Sequence, residues 1–256
     1  MNRHQLKSFL DEKADFYNRT TFIETDPVSI PRRFSKQQDI EIAGFFASVL
    51  AWGQRPTIIR NANRIMQGMD ESPYEFILNH TESELKPFNK IVHRTFNGTD
   101  CICFIKALKH LYTCYPTLEY AFLDDQTGED PDIRMSISRF RKRFFSIPYP
   151  IHAAKHVSDP EAGSACKRIN MFLRWMVRKD LREVDFGIWK QIPPSRLMCP
   201  LDVHSGNVAR KLGLLSRNAN DWKAVEELTR ALRKMDPSDP VKYDFALFGL
   251  GVFEGF

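Results

Sequence analysis

IHAAKHVSDPEAGSACKRINMFLRWMV, residues 151–177, is the stretch whose reading decides the fold. It predicts a short helix over Ile151–Val157, a tight connection over Ser158-Asp159-Pro160-Glu161-Ala162-Gly163, and a second helix from Ser164. In such a unit a glycine lets backbone N–H groups approach a phosphate, and the positive end of the second helix points the same way. At about 100° per residue, Ile169, Phe172, Leu173, Met176 and Val177 share one half of the second helix, which makes them its core face. Lys167, Asn170, Arg174 and Arg178 share the other half. That stripe reads either as a solvated face or as a phosphate-facing one. A cation at a helix N-terminus opposes the helix dipole, so Lys167 there implies a nearby anion or a neutral amine.

Outward from this unit the chain reads as helix after helix. Ser35-Lys36-Gln37-Gln38 has the capping-box pattern and leads an almost wholly apolar run from Ile40 to Leu50, with Gly53 as its stop. Pro56 opens a helix with Ile58, Ile59, Ala62, Ile65 and Met66 on one side, and Ser72-Pro73-Tyr74-Glu75 opens another. Further starts are expected at Thr99-Asp100, Asp130-Pro131, Asp221 and Asp239-Pro240. No strand alternation of useful length and no internal repeat is present. The expected fold class is all-α, a single helical unit over residues 1–256.

The 256 residues include 43% hydrophobic residues and 20 phenylalanines, enough for a substantial core, which excludes a disordered chain. The net charge of +5 fits a nucleic-acid partner without demanding one. The five cysteines (Cys101, Cys103, Cys114, Cys166 and Cys199) form no zinc or iron–sulfur ligand pattern and read as reduced thiols. The N-terminal MNRHQLKSFLDEKADF has no apolar signal region, and no run approaches 18 apolar residues. No membrane span, no cofactor and no metal are expected, and the location expected is cytoplasmic. His152 and His156 have an i, i+4 spacing that suits a zinc pair, but no glutamate lies between them.

Gly163-Ser164-Ala165-Cys166-Lys167, followed by Pro200-Leu201-Asp202-Val203-His204, resembles the helix-hairpin-helix DNA glycosylase superfamily, and the wide Lys–Asp gap is most similar to its archaeal 8-oxoguanine glycosylase branch. Leu50-Ala51-Trp52-Gly53-Gln54 sits where those enzymes carry a turn whose glutamine enters the opened duplex. The hairpin departs from the family's L-P-G-V-G form. Its acids Asp159 and Glu161 oppose a phosphate. Nearly the whole chain, including residues 164–178 and 239–251, also resembles an uncharacterised bacterial family of conserved hypothetical proteins.

The resemblance implies a helix-hairpin-helix DNA-glycosylase-like fold of two helical lobes with a cleft between them, the helix-hairpin-helix lobe spanning about residues 35–215 with N- and C-terminal helices packing on it. It implies a base-excision glycosylase, with AP lyase activity if Lys167 serves as the amine nucleophile. It implies Asp202 as the carboxylate that stabilises an oxocarbenium-like sugar. It implies DNA as partner, and Gln54, Gly163, Ser164, Arg168, Asn170, Arg174, Arg178 and His204 as DNA contacts. Trp52 and Trp175 read as core or edge packing, with the sandwiching of a flipped base as the alternative, and the run Arg139–Arg143 reads as a charged outer face over a phenylalanine core, with a phosphate-tracking strip as the alternative. Asp202 also reads as a plain helix cap. Two other functions fit the same residues: a non-catalytic nucleic-acid-binding protein, and a hydrolase acting on a nucleoside-like small molecule.

Overall fold

The computed structural model describes residues 1–126 and 132–256, with Phe22 described only through its backbone. Ten α-helices are present among them: α1 (Arg3–Tyr17), α2 (Gln37–Leu50), α3 (Arg55–Gly68), α4 (Pro73–Asn79), α5 (Gly98–Cys114), α6 (Ile133–Phe144), α7 (Lys167–Val177), α8 (Val203–Lys211), α9 (Trp222–Arg233) and α10 (Tyr243–Phe253). One two-stranded antiparallel ribbon, β1 (Val92–His93) with β2 (Phe96–Asn97), is the only sheet among the described residues. The fold class is all-α. No helix among the described residues is long and apolar enough to cross a membrane.

The chain divides into two compact units. The first comprises Met1–Phe22, Pro131–Arg134 and Asp159–Phe256, and the second Ile23–Asp130 and Met135–Ser158.

In the second unit α2 is the centre. Every residue from Ile40 to Leu50 is buried. Its Phe45 stacks on Phe104 of α5 and meets Phe140 and Phe144 of α6 edge-to-face and tilted, while Phe46 lies tilted against Phe104. Glu41 is the one acid in this run, and its carboxylate accepts from the Tyr112 hydroxyl at 2.8 Å and the Leu118 N–H at 2.9 Å. A buried charge survives only with such partners. Burial and the Glu41 charge together hold the Tyr112 hydroxyl well above its ordinary pKa.

Several expected starts move. Lys36, not Ser35, is the N-cap of α2, with no side-chain cap bond. The helix stops at Leu50, and Gly53 (φ +110°) makes the turn into α3 instead. Ser72 does not cap α4, because the Tyr74 N–H donates to Asp39 of α2 at 2.8 Å. Asn97 caps α5, and Asp100 answers it as the third residue of a capping box. The expected start at Asp130-Pro131 lies outside the described residues. The segment over Ile151–Val157 is a 3-10 turn at Ile151–His156 rather than an α-helix, and α7 begins at Lys167 rather than Ser164.

In the first unit α10 is the axis, packing against both α1 and α8. The α1 contact is close: a Cβ on Gly249 would come within 2.1 Å of the Tyr17 ring, so only glycine fits there. The long irregular segment between α7 and α8 is tied at several points. Phe186 and Trp189 donate to the last carbonyls of α7 at 2.8 and 3.0 Å. Arg233 of α9 donates to the Ser195 and Leu197 carbonyls, and Thr229 accepts from the Cys199 N–H at 3.1 Å. Those ties steer the chain back to the start of α8.

Candidate functional site: two helix starts and a buried acid

Two helix starts in the first unit face each other. Cys166, the N-cap of α7, adopts the left-handed conformation (φ 49°) that a non-glycine residue takes only under constraint. It makes Lys167 the first residue of the helix. Asp202 is the N-cap of α8, and its Oδ1 accepts from the Ser205 N–H at 3.0 Å while Ser205 Oγ accepts from the Asp202 N–H at 3.0 Å, a complete capping box. The other oxygen, Oδ2, lies 3.8 Å from Lys167 Nζ. That is an ion pair but too long for a hydrogen bond, so neither group is locked by the other. Both side chains are about one-quarter exposed, at 27% and 25%. Capping and ion pairing therefore use different oxygens of one carboxylate.

A second carboxylate completes the site. Asp244 of α10 is 6% exposed and is bonded by Arg174 Nη1. Burial pushes its carboxyl up to about 6, against the pull of Arg174 and Lys167 and with the Asp202 charge adding to the rise. The Cys199 thiol, also in this electrostatic neighbourhood, is held well above its usual value by burial and by Asp244. A part-exposed carboxylate and a buried one thus share one electrostatic neighbourhood. The sequence pattern does not single out Asp244; its one mark is that it is the only acid in KYDFALFGLG.

The basic stripe of α7 is not a solvated face: Arg174 and Arg178 are 5% and 4% exposed and pair with acids. Arg174 Nε meets Asp185 Oδ1 at 3.2 Å. Arg178 meets Asp180 Oδ2 at 2.6 Å, Asp185 Oδ2 at 3.1 Å and Asp239 Oδ2 at 2.8 Å. Both guanidiniums also lie over the Phe245 ring, at 4.2 and 5.5 Å from its centre. Wheel position alone placed them on a polar face; the returning loop and α10 cover that face with acids. Asn170 is buried too, and its Nδ2 donates to the Ala165 carbonyl at 3.2 Å, holding the approach to α7. Arg168 is half-buried, and burial lowers its guanidinium pKa.

The hairpin takes up its own donors. The Glu161 N–H goes to Asp159 Oδ1, the Gly163 N–H to the Pro160 carbonyl and the Ser164 N–H to the Asp159 carbonyl. Glu161 pairs with Arg134 at 2.8 Å, and the Gly163 carbonyl accepts from Trp222 at 3.0 Å. Gly163 itself is exposed with open space around it, and Ser164 bridges to Asp221. His204 is exposed on α8, with Gly251 of α10 against it.

Gln54 belongs to the second unit, exposed as the N-cap of α3. The turn before it is set by His93, whose two ring nitrogens meet the Asn61 amide at 3.0 Å and the Trp52 carbonyl at 3.1 Å. Trp175 is fully buried and cannot sandwich a base. Arg139 pairs with Asp124 and Arg143 with Asp125, Arg141 donates to the Val157 carbonyl, and Arg143 donates to three carbonyls over residues 120–123. His152 and His156 both turn to Asp100, at 3.1 and 3.4 Å. No group of three or more histidines, cysteines or carboxylates among the described residues is arranged to hold a metal ion.

Fold and site together define an all-α protein with a lysine–aspartate pair set on two helix starts and backed by a buried acid. The chain belongs to the family described as protein of unknown function (DUF2400), whose model matches residues 26–253. No curated protein and no solved structure matches the chain.

Proposed function

We propose that this chain is a DNA base-excision glycosylase of the helix-hairpin-helix type with AP lyase activity, acting on a damaged or modified base. The observation that supports it is the approach of Lys167 Nζ to Asp202 Oδ2, 3.8 Å apart across two helix starts that lie 35 residues apart in sequence. In this reading the Lys167 amine, once free of its proton, attacks C1′ of the sugar while the bond from C1′ to the base nitrogen breaks. The electron pair of that bond leaves with the base, which takes up a proton. The C1′–O4′ bond then opens, its electron pair staying on O4′, which takes up the proton released from the Lys167 nitrogen, to give a Schiff base; loss of a C2′ proton to water then expels the 3′ phosphate with the C3′–O electron pair and cuts the strand. Asp202 Oδ2 supplies negative charge to the oxocarbenium-like sugar, and its Oδ1 stays fixed by the capping box. Asp244, buried and bonded by Arg174, adds its charge to the electrostatic surroundings of the pair.

Borohydride reduction in the presence of an abasic duplex tests this. A covalent protein–DNA complex should form and should vanish in Lys167→Gln. A complex of undiminished yield in that variant, or none in the wild-type protein across abasic and damaged duplexes, would remove the proposal.

A further inference from the structure

The second unit carries a groove of 750 Å³ along α3, lined by Arg55, Pro56, Ile59, Arg60, Asn63, Arg64 and Gln67 and closed on its other side by Glu24 and Thr25. Ile58, Asn61, Ala62, Ile65 and Met66 are buried, and at 100° per residue Pro56, Arg60, Asn63, Arg64 and Gln67 occupy the opposite half, with Ile59 at its border and Arg55 beyond it. Arg60, Arg64 and Gln67 are exposed. Arg33 reaches the same wall, donating to Asn63 Oδ1 at 2.7 Å and pairing with Glu71. Four guanidiniums therefore stand against the carboxylates of Glu24 and Glu71. An even mix of charges is the usual dress of a solvated helix face; this one is arginine-rich, lysine-free and concave.

We propose that this groove docks the phosphodiester backbone of a nucleic-acid strand. Arginine offers a planar fork of donors that matches phosphate oxygens two at a time. From Arg55 to Arg64 the helix advances about 13 Å, at ~1.5 Å per residue. The backbone of a strand winds about the duplex axis, so its phosphates lie farther apart than the ~3.4 Å axial rise and the row covers about two to three of them. A compact phosphate compound would reach only part of it. Pro56 and Ile59 lie between the arginines and offer apolar surface to the sugars. Gln54 caps the same helix, so a strand on the groove runs along an element that begins with that exposed amide.

The proposal rests on the nucleic-acid part of the reading above, and its test separates the two. Affinity for a short single-stranded and a short duplex oligonucleotide is measured between about 50 and 200 mM salt for the wild-type chain, Arg60→Ala/Arg64→Ala, and Lys106→Ala/Lys109→Ala as a charge-matched control. Both arginines are exposed, so the double variant should melt with the wild type. Loss of two phosphate contacts should flatten the log–log salt slope by about 1.4 to 1.8 and weaken binding roughly 30-fold near 0.15 M salt, with the control unchanged. Equal losses in the control, no loss in the arginine variant, or no oligonucleotide binding by the wild type would each overturn the groove assignment. So would displacement of the oligonucleotide by inorganic pyrophosphate at sub-stoichiometric charge, which marks a small polyphosphate pocket. Binding that depends on Arg60 and Arg64 in a protein that traps no covalent complex keeps the groove and discards the glycosylase reading.

Discussion

Arg178→Ala distinguishes a structural cation from a DNA contact, and the structure sets its size. The guanidinium is 4% exposed and bonds Asp180, Asp185 and Asp239, with Phe245 beneath it. Truncation leaves Asp185 with Arg174 alone and leaves Asp239 without its cation, while Asp239 Oδ1 is already buried with no hydrogen-bond partner. Removing one member of a buried ionic cluster costs about 3–5 kcal/mol, because the remaining charge is stranded. Against a total stability of about 5–15 kcal/mol, that is a large fraction, equivalent to a fall in melting temperature of roughly 10 °C or more. The loss has a pH signature. Burial already raises the Asp239 carboxyl above its ordinary 3.8, with Arg178 opposing the rise. In the variant that opposition is gone, so the folded state holds the proton more tightly than the unfolded chain does. The penalty is then full above the raised folded value and is relieved as pH falls toward 3.8. Urea or thermal unfolding at stepped pH should show the gap between wild type and variant narrowing in acid. An Arg178→Ala protein with unchanged stability and weakened DNA binding would refute this reasoning and restore the exposed-stripe expectation.

Asp202→Asn should keep stability near wild type, since asparagine caps as well as aspartate, and should slow base release by roughly two to four decades. Asp202→Ala should cost about 1 kcal/mol in addition. Full activity in the asparagine variant would reduce Asp202 to a cap. Asp244 has a folded value raised to about 6 from 3.8, so its ionisation should destabilise the wild type as pH rises through that window. Asp244→Asn should flatten that part of the stability profile, read by urea unfolding at stepped pH; an unchanged profile would refute the burial argument.

The sequence by itself determined that the chain is helical, which residues make the cores of α2 and α7, and that Lys167 and Asp202 stand near helix starts. Those are local facts: apolar spacing, caps and prolines act within a turn or two of chain. Tertiary structure decided where the polar residues point. Arg174, Arg178 and Asn170 share a polar face on a helical wheel, yet the 178–202 segment and α10 cover that face, and only residues far away in sequence supply the acids that neutralise it. Asp244 lies 42 residues beyond Asp202, in a helix read as core, and its raised acidity range comes from burial among α7 and α8 side chains rather than from its neighbours in sequence. Helix starts yielded in the same way where a distant partner offered more: Ser72 lost its cap because Asp39 of α2 reaches the Tyr74 N–H first. Propensity and periodicity act through a few bonds, while desolvation and charge pairing depend on which segments meet in space, and a single chain read in order carries only the first.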